Sequence, residues 1–202
     1  MAEFTARPAT PADLPALVET ISFAFHEDPA WSWAFPDPER RREQYAAFWT
    51  LMISGALRYP WVQMTKLCDA AAVWIPPGGS ELSDEQEAQV EPLLEELVGS
   101  RAGEVIELLE RFDAAHPRNE PHYYLSLLGT HPDSAGRGLG MALLAENLAR
   151  IDADGMPAYL ESSNPANNHR YARHGFEAIG EFFAPSGTTP ITMMWRDAVT
   201  SG

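Results

Sequence analysis

A single cysteine, Cys68, is all the chain contains. No intramolecular disulfide can form, which fits a reducing compartment. Positive charge is also scarce: 14 basic residues against 29 acidic ones leave a formal net charge of -15. Such a surface repels phosphate backbones, so no nucleic-acid partner is expected, whereas cationic amines are attracted. No apolar run approaches the roughly 18 residues that cross a bilayer. Met1–Arg7 has no basic start leading into an apolar stretch, and the protein is expected in the cytoplasm with no membrane partner. Internal repeats and low-complexity tracts are missing too. His116, His131, His169 and His174 form no recognisable metal pattern, and His169 and Cys68 lack any partner spacing, so no metal site is expected.

The 202 residues, 45% of them hydrophobic, suffice for one well-buried domain. Phe4–Arg7 reads as a short strand. Thr10, Pro11 and Asp13 then open a helix carrying Leu14, Leu17, Val18, Ile21 and Phe25 at helical spacing. It is expected to stop at Asp28-Pro29, before an aromatic loop with Trp31, Trp33 and Phe35. Pro38 to Ala56 reads as a second helix. Trp61–Lys66 and Ala70–Ile75 read as strands, ended by Pro76-Pro77-Gly78-Gly79. Ser83–Val98 and Gly103–Ala114 read as helices, the first opened by a Ser83/Gln86 capping box.

The second half alternates more cleanly. Strands are expected over Tyr123–Thr130, Ala158–Ser162, Phe176–Phe183 and Ile191–Arg196, with helices over Gly138–Asp154 and Pro165–His174. This pattern implies an α+β fold, a mixed sheet with helices packed on it.

Gly136, Gly138 and Gly140 alternate after a strand and directly before an amphipathic helix. Glycines there permit unusual backbone angles and let an anion reach the amides. Successive N–H groups and the helix dipole then make a phosphate site, with Arg137 adding positive charge. A Walker loop would need Gly-Lys-Ser/Thr, and none is present. A dinucleotide fingerprint would need glycine or alanine three residues after the second glycine, where Met141 or Leu143 stands.

The run Leu128 to Gly140 resembles the signature of the GNAT superfamily of N-acetyltransferases, Gln/Arg-x-x-Gly-x-Gly/Ala. Gly138 and Gly140 match its glycines, while Ala135 replaces the expected Gln or Arg and leaves the grip to backbone amides. A second block, Tyr159 to Asn167 and on to Tyr171-Ala172-Arg173-His174-Gly175-Phe176, resembles the family's strand, Asn-containing turn, helix and Tyr-x-x-x-Gly-Phe ending. The aromatic Phe25–Asp37 stretch and Leu160-Glu161-Ser162-Ser163 look most like the puromycin N-acetyltransferase-like branch.

The resemblance implies a GNAT fold: a central twisted mixed sheet of about six to seven strands, with flanking helices and a cofactor cleft between two splayed parallel strands. It implies one domain over 1–202, with 1–120 on the acceptor side and 121–202 binding acetyl-CoA. Amides from Gly136 to Met141 would hold the pyrophosphate, and the main chain of Leu128 and Thr130 the pantetheine arm. Asn164, Asn167 and Arg173 would also contact the cofactor. Tyr171 would be the general acid for the leaving thiolate. Glu161 is the candidate base, with His122 and Asp28 as alternatives. Asp28, Trp31, Trp33, Phe35 and Tyr124 would receive a cationic, partly apolar amine. The expected activity is transfer of acetyl from acetyl-CoA to a small-molecule primary amine in a ternary complex, by a monomer or homodimer. A protein lysine or N-terminal acetyltransferase and a non-catalytic acyl-CoA sensor are the alternatives.

Overall fold

A computed structural model describes residues 5–199; the Phe4 end of the expected first strand lies outside them. Among the described residues, seven strands form one sheet in the order β1-β2-β3-β4-β5-β7-β6. These are β1 (Ala6–Pro8), β2 (Val62–Thr65), β3 (Ala70–Ile75), β4 (Tyr123–Thr130), β5 (Ala158–Ser162), β6 (Glu177–Phe183) and β7 (Pro190–Arg196). Neighbours run antiparallel except β4 and β5, which run parallel. The expected mixed sheet with flanking helices is thus present.

Alternation along β3 sets the two faces. Ala71, Val73 and Ile75 join a core with Leu17 and Ile21 of α1 (Leu14–Ala24) and Phe48 and Trp49 of α3 (Arg41–Ala56). Val105 and Leu108 of α5 (Ala102–Ala115) close that core. Ala70, Ala72 and Trp74 face the other way, under Leu144, Leu148 and Ile151 of α6 (Leu139–Ala153). Each such buried aliphatic contributes roughly 1.5–3 kcal/mol. The highly charged helix α4 (Asp84–Val98) buries only Leu94 and Leu97, and Ser83 and Gln86 form its capping box.

Two local readings are corrected. The aromatic segment is a short helix, α2 (Pro29–Ala34), rather than a loop. Asp28-Pro29 does not merely end α1: the Asp28 carboxylate accepts from Ala30 N–H at 3.0 Å and Trp31 N–H at 3.2 Å, and Pro29 takes the first helical position. The Pro165–His174 segment divides into a 3-10 turn over Pro165–Asn167 and α7 (Asn168–Ala172).

The feature that matters for function is a bulge in β4. Pairing with β3 runs Val73↔Leu127 and then Trp74↔Leu125, so Ser126 is the extra residue. An inserted residue reverses the facing of everything beyond it. Accordingly Leu125 lies in the α6 core and Leu127 in the α1/α3 core, although both are odd-numbered.

Candidate active site

β4 and β5 pair at Tyr123↔Ala158, Tyr124↔Tyr159 and Leu125↔Leu160, and there the pairing stops. Beyond it β5 bonds only β7, through Glu161 and Ser162, while β4 continues to Thr130 along β3. The two parallel strands therefore splay from the bulge onward. A cleft of about 890 Å³ opens at the fork.

Glu161 stands at the first position past the last pair and lines this cleft. Its side chain is 2% exposed. Neither carboxylate oxygen has a hydrogen-bond partner of good geometry. Burial pushes the carboxyl up to about 8, against the pull of the neighbouring Tyr124 and Tyr159 hydroxyls; the charge of Glu81 adds to the rise. A surface carboxylate at a strand end would show none of these properties.

Two histidines adjoin it. His116 Nδ1 lies 3.8 Å from Glu161 Oε1. His116 Nε2 and His122 Nε2 are 3.0 Å apart, and His122 Nδ1 is 2.7 Å from the Glu120 carbonyl. That carbonyl can only accept, so His122 carries a proton on Nδ1. With both rings neutral, His116 donates from Nε2 to His122 Nε2. The lone pair of His116 Nδ1 then faces Glu161. Burial, aided by His122, lowers His116 to about 4, which keeps it neutral.

Tyr171 of α7 and Asn164 and Asn167 of the preceding turn line the opposite side of the cleft. Burial pushes the Tyr171 phenol up to about 12, with the charge of Asp28 acting in the same direction. Asn164 caps its turn by accepting from Ala166 N–H at 3.1 Å. Arg173 is exposed and does not line the cleft.

On the acceptor side Trp31 and Tyr124 line the cleft, joined by Phe25, Trp49 and Phe112. Phe35 and Trp33 do not. Phe35 is fully buried between Tyr45 and Phe48, and the Trp33 ring packs under Arg101 at 5.1 Å. Asp28 lines the cleft, but its oxygens are engaged: one caps α2 and the other accepts from Ser163 Oγ at 2.7 Å. It joins the two halves of the fold and is a poor base.

The glycine run lies beyond the cleft, at the end of β4. Gly136 and Gly138 have φ of +77° and +76°, which side chains rarely adopt. The α6 ladder begins with Ala142 N–H donating to Gly138 C=O at 2.9 Å. The amides of Leu139, Gly140 and Met141 therefore have no intrahelical acceptor. A Cβ on Gly140 would sit 2.6 Å from Thr130 Oγ1, so α6 starts hard against β4. This cradle fits a pyrophosphate, and the free β4 edge fits an amide-bearing arm.

Sequence reasoning missed Glu81, Ser126 and the position of His116 beside Glu161. No local pattern marks them: a loop, a bulge and a helix end bring them to Glu161.

Residues 113–196 match the family model of the acetyltransferase (GNAT) domain. Among solved structures, one of a histone acetyltransferase HPA2 and related acetyltransferase from Corynebacterium glutamicum is 25% identical. It aligns over 98% of each chain with a TM-score of 0.71. A polyamine N-acetyltransferase from Drosophila melanogaster is 15% identical over 96% of this chain and 98% of its own, with a TM-score of 0.65. Arylalkylamine N-acetyltransferase 2 from Aedes aegypti is 11% identical over 98% of this chain and all of its own, with a TM-score of 0.62. The domain match covers the second half of the chain, and these structures share the fold over nearly all of it.

Proposed function

We propose that this chain transfers an acetyl group from acetyl-CoA to the primary amine of a small molecule, by direct attack in a ternary complex. The observation that carries the reading is Glu161: a buried, unpartnered carboxyl at the fork of two splayed parallel strands. Acetyl-CoA supplies the activated thioester. The first-turn amides of α6, with Gly136, Arg137 and Gly138, would hold its pyrophosphate. Leu128 and Thr130 would pair with the arm, and Asn167 would bear on it from the turn before α7.

An alkyl amine with a pKa near ~10 arrives charged. Glu161 takes a proton from nitrogen, and the neutral His116 beside it leaves that carboxyl without a competing charge. Tyr171, protonated at neutral pH, holds a proton for the departing sulfur.

An enclosed aromatic wall with a buried base favours a small amine over a protein lysine. The structural neighbours named for polyamines and arylalkylamines support the same class. Trp31 and the Leu160–Ser163 segment support the finer likeness to the puromycin N-acetyltransferase-like branch.

The test is thiol release from acetyl-CoA across a panel of alkyl-, arylalkyl- and diamines, with a lysine peptide as control. Turnover with small amines and none with the peptide is expected. Tight CoA binding with no turnover across the panel would replace this reading with a sensing module.

A further inference from the structure

Resting on that reading, we propose that Glu81 is the second carboxylate of the acceptor subsite, and that it holds the incoming primary amine as an ammonium ion opposite Glu161.

Glu81 follows the Pro76–Gly79 turn, far in sequence from both parallel strands, yet its side chain points into the fork. Ser126, the bulge residue of β4, donates its hydroxyl proton to Glu81 Oε1. Glu81 thus sits on one prong where the strands part, and Glu161 sits on the other. They are close enough for the charge of Glu81 to bear on Glu161 and Tyr124.

The backbone at Glu81 is clamped. Arg58 donates to the carbonyls of Ser80, Glu81 and Leu82, the last two at 3.1 Å. Ser80 N–H donates to the Tyr59 hydroxyl at 3.2 Å. The loop also presses on α3 at Gly55, where a Cβ would sit 2.3 Å from the Glu81 carbonyl. Free glutamates point to water. Here a rigid loop drives one inward.

Nothing neutralises the pair. The basic side chain lining the cleft among the described residues is Arg118, already 2.5 Å from Asp113. His116 is neutral. Two buried carboxyls without a counter-ion are costly, and a ligand cation removes that cost.

Their surroundings divide the work. The Ser126 hydroxyl favours the ionised form of Glu81 against its burial, while Glu161, with neither oxygen in a hydrogen bond of good geometry, is open to take a proton. The ammonium therefore rests on Glu81 and gives its proton to Glu161. An N–H bond breaks, an O–H bond forms on Glu161, and the neutral amine stays hydrogen-bonded to Glu81.

Steady-state kinetics with n-butylamine and phenethylamine test this. Glu81→Gln should raise the amine KM at least tenfold, with kcat within about threefold and the acetyl-CoA KM unchanged. Ser126→Ala should shift the amine KM in the same direction by less. An unchanged amine KM in Glu81→Gln, or equal rises in both KM values, overturns the assignment. Calorimetric titration of n-butylammonium chloride provides a readout free of turnover. Loss of that binding in Glu81→Gln is expected, and retention refutes the subsite. Wild type that binds the ammonium through Glu81 but acetylates no amine would refute the enzyme reading and leave the subsite standing.

Discussion

Replacing Glu161 by glutamine should make the protein more stable, by an amount that grows with pH. In the unfolded chain this carboxyl loses its proton near 4.5, in the folded chain near 8. The protonated form is the one the fold tolerates. Stability is therefore complete below pH 4.5 and falls as pH rises toward 8, by about 1.4 kcal/mol per unit. The deficit is just under ~1 kcal/mol at pH 5, about 3 at pH 7 and nearly ~5 at pH 9. Glutamine matches the protonated carboxyl in shape and never ionises, so the variant escapes the deficit. At roughly 2–4 °C per kcal/mol for a chain of this size, its Tm at pH 7 should rise by about 6–12 °C. Paired urea titrations of wild type and variant at pH 5, 7 and 9, followed by the fluorescence of the six tryptophans, measure the difference. A gap that is equal at all three pH values, or a variant less stable at pH 9, would show that Glu161 is not a buried acid of raised pKa. The same substitution should remove most of the activity, so stability and catalysis move in opposite directions.

Wild-type kcat/KM should climb through pH 8, about tenfold between pH 7 and 9, because the ionised fraction of Glu161 does; a flat profile over that range removes Glu161 as base. Tyr171→Phe should lower kcat by about 10²–10⁴ with CoA affinity unaltered, read by stopped assay and calorimetry. Gly138→Val places a branched side chain at φ +76°, which costs about 1–2 kcal/mol or more; CoA should bind about tenfold more weakly, and unchanged affinity argues against the cradle.

What the sequence made legible was local. The α6 stripe of Leu144, Leu148 and Ile151 repeats at helical spacing, and β4 and β5 read as short, largely apolar strands on either side of it. The glycines at 136 and 138 mark positive φ because little else adopts it. Glu161 was legible as a carboxylate near a strand end, but its burial was not, since that depends on Tyr124 and Tyr159 from two strands. Asp28 read as a helix stop and an acid beside aromatics. It is a cap whose second oxygen reaches Ser163, 135 positions away. Glu81 was invisible, for its loop is held by Gly55 at the end of α3 and by Arg58 just beyond it. Phe35 and Trp31 look alike in sequence, and only packing sends one into the core and the other to the cleft wall.

The three residue pairs joining β4 to β5 have a mechanical consequence. Four strands lie on one side of that line and three on the other, so the sheet is two plates joined along a short weld, with the Asp28–Ser163 bond as a brace across it. That short line is the one along which the proposed cofactor arm would enter. A cofactor arm laid against β4 would act as the missing rib. The Glu161–Ser162 edge and the Leu128–Thr130 edge should then lose their freedom to breathe apart, and their amides should exchange with solvent more slowly when CoA is bound.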